Sequence, residues 1–171
     1  GADDDTLLLN YGTNTVFGGL GDDSITANSG DNSIDAGDGT DVIILNSGNN
    51  SVQGNSGADS ITVHSGSNVI DGGADDDTLT LNNGSNSVKG GAGDDLITAH
   101  SGDNTIDAGV GDDVITINAG HNSGKPMSFQ DHGQRDTHSK AASRAMTAKR
   151  QQKDTGFSVN RPNCWHVQGL L

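Results

Sequence analysis

Seven aspartates recur at intervals of 18 residues: Asp5, Asp23, Asp41, Asp59, Asp77, Asp95 and Asp113. Midway between them, at the same interval, stand Asn14, Asn32, Asn50, Asn68, Asn86, Asn104 and Asn122. A regular series of short carboxylates set among glycines suits one chemistry above others, the binding of a hard cation. Ca²⁺ takes roughly six to eight oxygen ligands from carboxylates and backbone carbonyls. The repeats offer no nucleophile, general-base pair or pocket-forming segment, so no enzyme is expected in this chain.

The composition agrees with fixed carboxylate positions. All 23 acidic residues are Asp and none is Glu, beside 26 Gly. Solubility alone would mix the two acids, whereas turns and calcium loops select the shorter one. With 30% apolar residues and a net charge of −14, composition alone would place the chain among disordered sequences. Periodicity reverses that reading, but the acid must still be neutralised before the chain compacts. The charge is also divided. Residues 1–123 carry 20 Asp and one Lys, net −19, while residues 124–171 carry eight Lys or Arg against three Asp, net +5. A boundary near residue 123 is therefore expected.

Behind the spacing lies a nine-residue unit running without insertion or deletion to about residue 122. Residues 18–26 (GGLGDDSIT) and 90–98 (GGAGDDLIT) match G-G-x-G-x-D-x-U-x, where U is a large aliphatic residue. The eighth position is aliphatic thirteen times running and fails only at Gly124. The fourth is Gly in twelve of fourteen units, Asp3 and Asp75 being the exceptions. A repeat of this period is the signature of a solenoid.

These residues resemble the RTX (repeats-in-toxin) family of secreted calcium-binding proteins, over residues 1 to about 122. The resemblance implies an all-β fold, a parallel β-roll or right-handed β-solenoid of about seven 18-residue coils. In such a roll six residues of each nonapeptide form a turn and the rest a short strand. Ca²⁺ sits between successive turns on the same side. It also implies a secreted, extracellular module and a type I export machinery as partner.

Elementary physics leads the same way. Glycines at the first, second and fourth positions permit turn conformations with positive φ. The aliphatic residue after each turn points inward and stacks on its equivalent one coil away, so stability comes from neighbouring coils. All Asp turns then share one edge and all Asn turns the other, with carboxylates roughly 5 Å apart, the spacing of adjacent strands. A cation between each pair of turns relieves their repulsion. The expected ligands are the seven aspartates, with backbone oxygens from Gly19, Gly21, Gly37, Gly39, Gly57, Gly73, Gly91, Gly93, Gly109 and Gly111. Seven turns leave six gaps, hence up to about six Ca²⁺. The fifth-position acids Asp4, Asp22, Asp76, Asp94 and Asp112 are expected to raise local charge. The Asn edge is expected to form a hydrogen-bonded amide ladder, with partial calcium occupancy as the other reading, aided by Asp31 and Asp103.

Strand residues alternate in and out. Ile25, Ile43, Ile61, Ile97 and Ile115 are expected inside, with Leu9, Ala27, Leu45, Val63, Leu81, Ala99 and Ile117. The outward series reads Thr26/Asn28, Thr62/His64, Thr80/Asn82, Thr98/His100 and Thr116/Asn118. That flat Thr/Asn face supports an alternative function, a surface-binding solenoid for ice, polysaccharide or adhesion. Leu8, Ile44 and the two histidines interrupt it. The opposite face, with Asp35, Asp71, Asp107 and Lys89, reads as solvated.

Residues 124–171 form a basic tail without repeats, expected as a marginal helix over 138–152 or as disorder. His132, His138, Cys164 and His166 lack metal-ligand spacing. Three origins stay open: a divergent export signal or cap, a frame-altered or foreign extension, and a basic binding arm. No apolar run reaches membrane-spanning length, no nucleic-acid partner is expected, and the first coil's opening partway through a repeat suggests a fragment and possible end-to-end stacking.

Overall fold

The computed structural model describes residues 1–120 and 122–124. Within them the chain makes fourteen strands and no helix. In chain order these are β1 (Thr6–Leu9), β2 (Thr15–Leu20), β3 (Ser24–Ala27), β4 (Ser33–Asp38) and β5 (Val42–Leu45). There follow β6 (Ser51–Ser56), β7 (Ser60–Val63), β8 (Val69–Ala74), β9 (Thr78–Leu81) and β10 (Ser87–Ala92). The series ends with β11 (Leu96–Ala99), β12 (Thr105–Val110), β13 (Val114–Ile117) and β14 (Ser123–Gly124).

Odd-numbered strands form one seven-stranded parallel sheet in the order β1-β3-β5-β7-β9-β11-β13. Even-numbered strands form the other, in the order β14-β12-β10-β8-β6-β4-β2. The register step is 18 residues throughout, with Ile25 against Ile43 and Val88 against Ile106. One sequence period is thus one coil, and the chain completes about six turns. The expected parallel β-solenoid is what forms.

Period-two patterning sets the core. Ile25, Ile43, Ile61, Leu79 and Ile97 from the odd sheet are fully buried, and Ala27, Leu45, Val63, Leu81 and Ala99 stack beside them. From the even sheet Val16, Ile34, Val52, Ile70, Val88 and Ile106 meet them. Burying one such side chain contributes about 2 kcal/mol, too little for a lone coil against its ordering entropy. At the last coil Ile115 is half-buried and Ile117 is exposed. Among the described residues no strand beyond β13 covers them. The tail readings, helix over 138–152 included, concern positions outside the described residues.

Candidate metal sites along the aspartate edge

Each sixth-position aspartate closes a turn just before an odd-numbered strand. The backbone N–H of each donates to Oδ1 of the aspartate one coil later, from Asp5→Asp23 through Asp95→Asp113, at 2.7–3.0 Å. Stacking has pulled these carboxylates inside: Asp23, Asp41, Asp59, Asp77 and Asp95 are 0–2% exposed. Asp113 is buried less completely. Asp5 is exposed, and its carboxylate lies 3.4 Å from the Gly1 ammonium.

The second oxygen of each carboxylate is the chemical anomaly. Among the described residues, Oδ2 of Asp23, Asp41, Asp59, Asp77, Asp95 and Asp113 is buried without a hydrogen-bond partner. A buried carboxylate oxygen with no donor costs several kcal/mol, on the order of an unpaired buried charge. Burial, the leading cause, pushes Asp59 and Asp95 up to about 6 and Asp77 up to about 7. The donated N–H of the preceding turn pulls downward without reversing the shift, and neighbouring carboxylates add to it. Asp41 and Asp113 are raised for the same first reason.

Space beside these oxygens is kept open by first-position glycines. A methyl built on Gly18 would overlap both Asp23 Oδ2 and the Ala36 carbonyl oxygen of the next turn. Gly54 stands in the same way to Asp59 Oδ2 and the Gly72 carbonyl, Gly72 to Asp77 Oδ2 and the Gly90 carbonyl, and Gly90 to Asp95 Oδ2 and the Ala108 carbonyl. Carboxylate and carbonyl oxygens therefore converge between successive turns, a donor set that fits a hard cation. No group of three acidic, His or Cys side chains is gathered as a metal cluster among the described residues. Any cation here draws on backbone oxygens as well as carboxylates.

The ten sequence-proposed glycines all lie on this edge, at φ between +107° and +153°. They pack turn upon turn, so that a Cβ on Gly37 would collide with the Gly19 carbonyl. One expectation needs correction. Positive φ belongs to the second and fourth positions only; Gly18, Gly54, Gly72 and Gly90 do not adopt it. Ala36 and Ala108 fill that first position in two turns, as a backbone free of left-handed geometry allows. The fifth-position acids also do more than add charge. Asp4, Asp22, Asp76 and Asp94 accept the fifth-position N–H one coil later, at 2.7–2.9 Å, opposite in direction to the sixth-position series.

The asparagine edge repeats the same backbone pattern with the missing donor supplied. Nδ2 of Asn32, Asn50, Asn68, Asn86 and Asn104 donates to Oδ1 of the next asparagine at 2.9 Å. The main-chain N–H of each donates to the same oxygen. The ladder expected from the sequence is present, and every asparagine named has a partner for its amide. On the odd sheet's outer face His64 and His100 pair through Nδ1 with Asn82 and Asn118 at 3.1 and 2.9 Å.

A model of the RTX calcium-binding nonapeptide repeat matches in four copies, at residues 1–25, 8–43, 44–79 and 80–115. The chain belongs to this RTX repeat family. No curated protein and no solved structure matches it. As RTX repeats in a β-roll, residues 1–115 are calcium-binding repeats, and the aspartate edge is where this roll carries unsatisfied oxygen. Sequence reasoning missed the first-position glycines as part of that edge. Their signal was the GG pair itself, since φ accounts for only its second member.

Proposed function

We propose that this RTX roll is a calcium-induced folding module of a secreted protein, with Ca²⁺ held between successive aspartate turns. The observation that carries the reading is the row of six buried, partnerless Oδ2 atoms facing neighbouring turns. Asp5, Asp23, Asp41, Asp59, Asp77, Asp95 and Asp113 would supply carboxylates, and the turn glycines backbone carbonyls. Calcium bound there neutralises a column that otherwise repels itself, so binding energy becomes folding energy.

The reading extends to localisation. Sites of extracellular type bind at about 10⁻⁴–10⁻³ M, so the chain would stay unfolded at cytosolic calcium and pass a type I export channel unfolded. It would fold outside, as a structural module rather than an enzyme. The asparagine edge, already satisfied by its own amides, would stay metal-free. End-to-end stacking draws support from polarity: the sixth-position Asp and Asn N–H groups donate toward the higher-numbered coil, so the two faces of a coil are complementary. Ion counting after equilibrium dialysis tests the core of the reading. Up to about six Ca²⁺ per chain are expected; none retained at millimolar calcium would refute it.

A second reading, a surface-binding solenoid, draws on the outer face of the odd sheet. Across seven rungs, from Thr6, Leu8 and Asn10 to Val114, Thr116 and Asn118, that face carries no Asp, Lys or Arg. Thermal-hysteresis and polysaccharide pull-down assays of the calcium-loaded chain test it, and inactivity in both would remove it.

A further inference from the structure

Asn83 is followed by Gly84, and no other asparagine in the chain precedes a glycine. The pair lies in an asparagine-edge turn, with Asn83 exposed. An asparagine carboxamide is an electrophile, and the backbone nitrogen of the next residue is the nucleophile nearest to it. A side chain on that next residue hinders their approach, so glycine is the most permissive neighbour. Gly84 stands at φ +105°, and among the described residues its N–H makes no hydrogen bond.

What restrains the carboxamide is the stacking of coils. Asn83 Nδ2 donates to the His64 carbonyl of the preceding coil at 3.3 Å, and Ser101 Oγ of the following coil donates to its Oδ1 at 2.8 Å. Held from both sides, the carboxamide is kept from swinging onto the Gly84 nitrogen. The equivalent positions of other coils carry Ser29, Ser47, Ser65 and Ser101, whose hydroxyls reach the Asn10, Asn28, Asn46 and Asn82 carbonyls at 2.7–3.0 Å. Asn83 thus takes over a serine's hydrogen bond and adds a reactive amide to it. The buried asparagines of the ladder are different: their amides are bonded inside the edge, and Ser, Thr or Val follows each of them.

We propose that Asn83–Gly84 is a self-modifying site, an asparagine deamidation site that calcium-driven stacking of the coils protects. The Gly84 nitrogen attacks Asn83 Cγ, the Cγ–Nδ2 bond breaks, and the proton of that nitrogen leaves with Nδ2 as ammonia. Water then opens the succinimide at either carbonyl, giving aspartate or isoaspartate, with no oxidant or cofactor involved. The gating rests on the calcium reading above, whereas the site itself does not. The product carboxylate faces the His64 carbonyl with no proton to donate, and isoaspartate adds a methylene to the backbone of its coil. A chain left without calcium therefore accumulates a lesion that opposes stacking, and a calcium-loaded chain is spared it.

The test is peptide mass mapping of the full chain after incubation at mildly alkaline pH, in chelator and in saturating calcium, with circular dichroism on the same samples. In chelator, conversion should concentrate at Asn83, with ammonia and isoaspartate among the products. Calcium should slow it about tenfold, the rate equivalent of two hydrogen bonds. Asn83→Ser, the residue of the equivalent positions, should fold as the wild type does and lose the reaction. Ser101→Ala, matched by Ala119 one coil on, should speed conversion about threefold in the calcium-loaded chain. Conversion at Asn83 no faster than at Asn82 in chelator overturns the site. Equal rates with and without calcium, in a chain whose dichroism shows calcium-induced folding, overturn the gating, as does a Ser101→Ala rate equal to the wild type's. Dichroism that ignores calcium overturns the calcium reading; urea then replaces chelator, and equal rates in the folded and unfolded chain overturn the protection by stacking.

Discussion

The backbone N–H of Asp59 donates to Oδ1 of Asp77 at 2.8 Å, and Oδ2 of Asp77 is left buried without a partner. On the opposite edge the N–H of Asn68 donates in the same way to Oδ1 of Asn86, but there Nδ2 of Asn68 donates to that oxygen too, at 2.9 Å. The two edges differ by one atom per coil, an oxygen where the other has an NH₂. That substitution separates a self-satisfied ladder from a column that needs a cation or a proton.

Asp77→Asn should convert one rung to the amide type. The new NH₂ can donate to Asp95 Oδ1, removing a penalty of about 1–3 kcal/mol. The calcium needed for half-maximal folding should fall, and bound calcium should drop by about one ion. Paired circular dichroism and dialysis measurements check both, and an increased calcium requirement would count against the explanation.

Cutting the amide ladder should act in the opposite sense and independently of metal. Asn86→Leu leaves the N–H and Nδ2 of Asn68 without their acceptor. At saturating calcium, urea unfolding should show a loss of about 2–4 kcal/mol, one to two buried groups' worth.

Protons should substitute for calcium in part. The folded values of Asp59, Asp77 and Asp95, at about 6 to 7, lie above the ordinary 3.8. The metal-free roll therefore holds protons that the unfolded chain releases. Its stability should be greatest at about pH 4 and below, and should decline as pH rises through 6 to 7. In chelator, β-structure should be stronger at pH 4.5 than at pH 8, and calcium affinity should rise over the same interval.

Gly72→Ala should leave the fold intact, since Ala36 and Ala108 occupy equivalent positions. The added methyl overlaps Asp77 Oδ2 and the Gly90 carbonyl. Calorimetry should show one site weakened about tenfold or more, with core stability at saturating calcium little changed.

The coil, both edges and the inward columns could be read from the sequence because the sequence period equals the structural one. Once Asp23 and Asp41 are 18 apart, their stacking follows. What could not be read depends on how one coil sits on the next. The role of Gly18 as an open floor, the reversed hydrogen bonds of Asp22 and Asp94, and the positive φ of Asn55 and Asp75 all belong to how one turn packs on the next. Ile117 was expected inside, but its exposure at the last coil depends on what lies beyond the strand, which periodicity alone does not specify.

Circular dichroism during a calcium titration at pH 7.5, with Mg²⁺ as control, tests the central claim most directly. A cooperative coil-to-β transition at about millimolar Ca²⁺ is expected. Mg²⁺ should fail to drive it, because it demands a tighter octahedral shell. Full β-structure in chelator, unchanged by added calcium, would contradict the account, for the aspartate column would then stand without the ion its buried oxygens require.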